Sequence, residues 1–229
     1  MQYAMHESED ENGRLFDAAR GCELFTQQLV SLSGERDPVD GDEVLYVLEG
    51  SAGAQIDGHD HRLAPGTAVF VARGTPWSVD GEVRAVSVVV HDPPPSEVSH
   101  AVLDLGAAER GSATAGREFQ LGANPATGCT SVTQFVGLVP VGRAPDHFHT
   151  YDEVIYILEG RGELAIGGET AELRPGSCVH LPSRLVHCLA NTGDSELRVL
   201  AVFRPAGSPA EAYYPDGTLA VVPDSDGKD

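Results

Sequence analysis

The 229-residue chain contains a second copy of part of itself. Shifted by 110 residues, segment 42–66 lies over segment 152–176 without a gap, and 12 of the 25 positions are identical. The matches include Asp-Glu-Val, Tyr46 with Tyr156, Leu-Glu-Gly, Ile56 with Ile166, Leu63 with Leu173, and the Pro-Gly pairs at 65–66 and 175–176. Self-similarity of this kind means two copies of one supersecondary unit and outranks any local reading. Each copy breaks into short apolar runs cut by Gly and Pro, such as "EVIYILEG", "GELAIGG" and "RPGSCVHLP". Short runs at close spacing, with almost no helical period, imply an all-β chain built as a sandwich or small barrel. Between the copies, "HDPPPSEVSH" (91–100) reads as a stiff extended spacer. Two domains are therefore expected, 1–97 and 98–229. After the last strand, Ser208, Pro209 and Glu211 stand in the order of a capped helix start, which predicts one short C-terminal helix.

Charge and cysteine usage narrow the partners. The formal charge is -20 and the pI about 4.6, a balance that repels phosphate backbones and anionic membranes. The N-terminus, "MQYAMHESEDENGRLFD", has no apolar core, so no signal peptide is expected, and no apolar run approaches the ~20 residues of a membrane span. Cys22, Cys129, Cys178 and Cys188 form no paired motif, which suits reduced thiols in a cytoplasmic chain. A small-molecule substrate is the partner left, and exposed barrel edges make a homodimer the expected assembly.

The chemistry concentrates in "APDHFHTYDEVIYILEG" (144–160). Residues i and i+2 of a strand share a face, so His147 and His149 aim two imidazoles into one space. Glu153 opens the next strand, and "PGSCVHLPSRLVHCLAN" delivers His187. Three imidazoles and one carboxylate suit one divalent transition metal, Fe(II), Mn, Ni, Zn or Cu. On an octahedral ion such a set leaves two positions open, as a catalytic metal needs. At the 110-residue offset, His147 maps to Asp37, His149 to Val39, Glu153 to Glu43 and His187 to Trp77. One metal site is therefore expected, in the second copy, with Trp77 plugging a pocket or packing the core of the first. "GHDHRL" also carries His-x-His, at His59 and His61, but it aligns with the hairpin "GETAEL" and reads as exposed. His6, His91 and His100 fall in the terminus or the spacer.

The pattern G-x4-H-x-H-x3-E-x6-G (Gly142, His147, His149, Glu153, Gly160), followed by P-G-x5-P-x4-H-x3-N (Pro175, Gly176, Pro182, His187, Asn191), resembles the two motifs of the cupin superfamily. The duplicated layout is similar to the bicupins. The resemblance implies a double-stranded β-helix, or jelly-roll, in each half, with the metal inside the second barrel. It implies little about the reaction, because cupins include dioxygenases, decarboxylases, isomerases, hydrolases and binders.

A cation held by neutral imidazoles and one carboxylate keeps positive charge and favours an anionic, chelating substrate. Arg143 and Arg184 are candidate clamps for its carboxylate, and His180 is a candidate base. Ile155 and Ile157 share the face of Glu153, with Phe135 and Val139 as further apolar lining. Tyr213 and Tyr214 are candidates to cap the pocket or pack a dimer, while Cys188 faces away from His187. The first expectation is a non-haem Fe(II) dioxygenase. The second is a non-redox metalloenzyme, an isomerase, hydrolase or lyase using Mn, Ni or Zn. The third is a non-catalytic small-molecule binder.

Overall fold

The computed structural model of the chain describes residues 2–220. The repeat is realised strand for strand. Asp42–Gly50, Ala52–Ile56, His59–Leu63 and Thr67–Val71 in the first half answer Asp152–Glu159, Gly162–Ile166, Glu169–Leu173 and Ser177–Leu181 in the second. The offset of 110 runs on to the starts of the strands Trp77–Val90 and His187–Asn191. The Leu-Glu-Gly ending recurs for a backbone reason. Gly50 and Gly160 have φ of 84° and 88°, and a Cβ would lie 2.5 Å from the Glu82 carbonyl oxygen in the first case and 2.9 Å from that of Glu196 in the second. Only glycine suits both the left-handed conformation and the close approach.

Each half is a pair of facing antiparallel layers. In the second half, one sheet runs in the order Ala4–His6, Ser177–Leu181, Asp152–Glu159, Leu197–Arg204, Thr133–Val139, Glu118–Leu121, Arg110–Ser112. Facing it are Gly142–Arg143, His187–Asn191, Gly162–Ile166 and Glu169–Leu173. The first half repeats this around the long strands Phe25–Glu35 and Trp77–Val90. Two strands sit at the margins. Ala4–His6, at the start of the chain, pairs with Ser177–Leu181 of the second repeat. His100–Asp104, just past the proline spacer, pairs back onto Thr67–Val71 of the first. The all-β jelly-roll architecture expected from the sequence is the one observed.

Three apolar cores follow. One fills each barrel, and a third lies between them, joining Phe16, Phe25, Phe70 and Val88 to Val136, Val154, Tyr156, Leu200 and Val202. The central strands are thus buried on both faces, which is why they read as continuous apolar runs. Alternation then sorts Asp152–Glu159: Val154 and Tyr156 face the other barrel, while Glu153, Ile155 and Ile157 face inward.

The C-terminal helix is a correction. Ser208 to Glu211 make a turn, with the Ala210 amide donating to Ser208 Oγ (3.2 Å) and the Glu211 amide to the Ser208 carbonyl (3.1 Å). The chain then runs extended, bridging Tyr213 to Phe148. The local capping signal is real, but Pro215 biases Tyr214 away from the α region within one turn. Tertiary pairing with Phe148 claims the rest.

Gly160→Ala should lower stability by about 1–2 kcal/mol, the left-handed penalty, and more if Glu196 cannot yield. Gly168→Ala, at φ 83° with nothing within 4 Å of the added carbon, should cost less. Thermal midpoints of the two variants check the order, and equal losses would show that the close approach does not matter.

Candidate metal centre

His147, His149 and His187 converge. His147 and His187 form an isolated antiparallel bridge, each amide donating to the other's carbonyl at 3.0 and 2.8 Å. The Arg184 amide donates to the His149 carbonyl at 2.7 Å, which ties the second histidine to the same loop. The ring centroids lie 4.7–5.1 Å apart, and one nitrogen from each residue falls within 4.8 Å of the others.

The tautomers follow from the neighbours. Nδ1 of His147 lies 2.9 Å from the Pro145 carbonyl, that of His149 3.0 Å from the Glu211 carbonyl, and that of His187 2.9 Å from the Leu185 carbonyl. A carbonyl only accepts, so each Nδ1 carries the proton and each Nε2 keeps a lone pair. Among the described residues no hydrogen bond reaches any of these Nε2 atoms, the arrangement a cation satisfies. Burial depresses the basicity of all three rings, His149 to about 3 and His187 well below the ordinary value, with neighbouring imidazoles adding to the effect on these two. They are neutral at pH 7, the form that binds metal. Glu153 is buried with its Oε2 4.0 Å from His149 Nε2, and burial raises its pKa to about 8 against the opposing pull of Arg117.

The four residues border a cavity of about 80 Å³, room for a substrate of a few heavy atoms. Phe135, Val139, Ile155, Leu189 and Val199 form its apolar wall. Two polar groups that the sequence did not single out also line it. Tyr151 stacks on His149 (4.6 Å) and on Phe203 (3.9 Å). Arg117, just before the strand Glu118–Leu121, donates from NH2 to the Leu189 carbonyl, and among the described residues no carboxylate pairs with it. The side chain is half-buried, and burial lowers its pKa. Arg117 lies 30 positions before His147 and outside the repeat, so no spacing rule points to it.

The arginine and base candidates near the ligands in sequence lie elsewhere. Arg143 pairs with Asp146 at 2.7 Å on the surface, and the Arg184 side chain lines clefts outside the cavity. His180 sits on the opposite face of Ser177–Leu181, hydrogen-bonded to Asp152 at 2.7 Å and beside Phe16. Strand alternation is the reason, since Val179 and Leu181 take the inward positions. Tyr213 stacks on Phe148 and donates to Glu211, and Cys188 bonds the Ala144 carbonyl, away from the cavity.

In the first barrel the place of His147 is taken by Arg36, not Asp37. The Arg36 amide donates to the Trp77 carbonyl, as that of His147 does to His187, and Asp37 is exposed. The one-residue slip falls in the loop before the gap-free match. The Arg36 guanidinium lies over Trp77 (5.5 Å) and 3.4 Å from the buried Glu43, which also accepts from Ser87 at 2.7 Å. A built-in cation faces the carboxylate there, and Trp77 belongs to the core.

Residues 134–203, the stretch that holds all four candidate ligands, match the model of the Cupin domain. This stretch is a cupin domain. The cupin fold extends over both halves. An oxalate decarboxylase from Bacillus subtilis superimposes with a TM-score of 0.69 at 15% identity, covering 90% of this chain and 78% of that one. The putative glyoxylate-induced protein from Pseudomonas aeruginosa gives 0.67 at 18% identity, over 81% and 77%. Curated relatives match about a third of the chain or less. Polyketide synthase CurC from Streptomyces cyaneus is 36% identical over 75 residues, 31% of this chain and 49% of its own length. An L-ectoine synthase from Aliivibrio fischeri is 31% identical over 77 residues, 33% and 60%. The chain thus spans about half the length of the first of these relatives. Among the described residues, no helix is long and apolar enough to cross a membrane.

Two outcomes follow. In chelator-treated protein, Glu153 holds its proton to about pH 8, whereas the unfolded chain releases it near 4.5, so this group's contribution is lost as pH rises through 8. His149, depressed to about 3, contributes oppositely, and its share is lost as pH falls from 6.5 toward 3. Glu153→Gln should therefore remove a fall in thermal midpoint between pH 6 and 8, and an unchanged fall would mean that Glu153 is not its source. In the first barrel, Arg36→Ala leaves Glu43 without its cation and should cost about 1–3 kcal/mol. Adding Glu43→Gln should recover most of that loss in denaturant titrations.

Proposed function

We propose that this protein is a metal-dependent enzyme acting on a small anionic, chelating organic substrate, as a non-haem Fe(II) dioxygenase. The observation that carries the reading is the pairing of three inward Nε2 lone pairs with a half-buried guanidinium that has no carboxylate partner among the described residues, in one cavity of about 80 Å³. His147, His149, His187 and Glu153 would hold one divalent ion, which as iron(II) supplies Lewis acidity and dioxygen activation.

The protein's own groups do the rest. Arg117 receives the substrate carboxylate and aligns it, and its half-buried setting strengthens the ion pair relative to water. Phe135, Ile155 and Val199 exclude bulk water from the reacting end. The carbonyls of Pro145, Leu185 and Glu211 hold the imidazole orientations throughout. Support for a small-acid substrate comes from the fold likeness to the oxalate decarboxylase, a protein with Mn(II) centres.

A second reading, non-redox lyase or isomerase chemistry, draws on Tyr151. Burial keeps its hydroxyl protonated well beyond neutral pH, so the cavity contains a proton donor that the ligand motifs did not reveal. The fold likeness to the decarboxylase and the match to L-ectoine synthase lean the same way.

Metal content of protein purified under nitrogen, beside His147→Ala/His187→Ala, separates the readings. About one iron per chain, lost in the variant and accompanied by dioxygen uptake with small keto or hydroxy acids, is the expected result. Mn, Ni or Zn with turnover but no dioxygen uptake would move the assignment to the second reading. Arg117→Leu should raise KM for a carboxylate substrate about 10–100-fold, the equivalent of one charge-assisted hydrogen bond at about 1.5–3 kcal/mol. An unchanged KM would remove Arg117 from the substrate site.

A further inference from the structure

Phe135, Gly137 and Val139 take the inward positions of the strand Thr133–Val139, and all three border the cavity. The glycine is not there for its backbone, because its φ lies outside the left-handed region. Inside a strand glycine gives up conformational entropy and side-chain packing, and such a residue often marks a close approach by a ligand. The wall around it is apolar. Phe119 stands opposite Gly137 on one neighbouring strand and Val199 on the other. One inward row nearer to Glu153 come Phe135, Ala201 and Ile155.

The first barrel shows that the fold does not require glycine at this position. Val199 pairs with Gly137 on one side and Ile157 on the other, as Ala85 pairs with Val30 and Val47. Ile157 and Val47 are equivalent in the 110-residue repeat, so Val30 is the counterpart of Gly137. Val30 packs against the core of the first barrel. A β-branched side chain is accepted there, and the second barrel has none. A Cβ on Gly137 would lie 2.9 Å from Val199 Cγ2 and 3.2 Å from Phe135 Cε2. Those two side chains would have to yield, and the free space beside them is the cavity that both border.

We propose that Gly137 sets the size of the aliphatic group the cavity accepts, and that the substrate is a short 2-hydroxy or 2-oxo acid carrying an alkyl side chain. The inference rests on the reading of the cavity as a site for a small chelating acid. Phe119, Phe135, Ile155 and Val199 offer no hydrogen bond, so the part of the substrate that meets them is hydrocarbon. By leaving out its side chain, Gly137 lets Phe135 and Val199 lean back over the strand and keeps room for that hydrocarbon. A methyl at this position would return the two side chains to the cavity and shorten the alkyl group that fits.

The test is calorimetric titration of the full chain, loaded with zinc(II), with glycolate, lactate and 2-hydroxybutyrate, three acids that share one chelating head. Binding, not turnover, is the readout. Affinity of the parent should rise about fourfold with each added carbon, the worth of one buried methylene. Gly137→Ala should abolish that rise while leaving glycolate within about twofold of the parent. Val199→Ala, which relieves the same contact, should favour 2-hydroxypentanoate over 2-hydroxybutyrate more than the parent does, and it covers the case where Gly137→Ala folds poorly. A glycine kept for packing alone would lower the thermal midpoint on substitution and leave the rise in place, which would overturn the proposal. Binding of all three acids by the parent without a rise would also overturn it, with the small-acid reading left standing. Binding of none would remove that reading and the proposal together.

Discussion

The packing of one barrel on the other buries the strand Asp152–Glu159 on both faces, and that constraint places everything else at the centre. With Val154 and Tyr156 committed to the core between the barrels, alternation leaves Glu153 no choice but to point inward. The same rule sends Val179 and Leu181 inward and turns His180 outward to Asp152. A one-residue change of register would exchange a buried carboxylate for an aliphatic side chain, so the register is held by hydrophobic burial on two sides at once.

On that frame, three backbone carbonyls set the imidazoles. Pro145 and Leu185 are local to His147 and His187, but Glu211 lies 62 residues from His149 and arrives with the segment that follows the last strand. The C-terminal turn is thus part of the centre. Its extended path bridges Tyr213 to Phe148 and brings the carbonyl to the ring.

The two barrels answer the same electrostatic problem differently. Each buries a glutamate at the second residue of its central strand, Glu43 and Glu153. In the first, Arg36 and Ser87 partner the carboxylate and Trp77 occupies the position of His187. In the second, imidazoles stand where the arginine and the indole would be, and the carboxyl is left with burial as its dominant influence. The copies diverged at the residues around the carboxylate while keeping the strands, the glycine turns and the register.

Much of this was legible without coordinates. The gap-free repeat predicted two copies of one unit of short strands, and the spacing of His147, His149, Glu153 and His187 named residues that do border one cavity. Those inferences succeed because strand period and turn glycines are local properties of the chain. Where the repeat lost its gap-free match, alignment put Asp37 opposite His147, and the backbone pairing shows Arg36. Ser208-Pro209 read as a helix start because a cap is a local signal, whereas pairing with Phe148 is not. Arg117 and Tyr151 belong to the same class: each depends on which sheet edges and layers come together. Sequence by itself determined the repeat, the fold class and the candidate ligands. Tertiary structure alone decided which arginine faces the cavity and which proton donor lines it, because these contacts join segments that no periodicity connects.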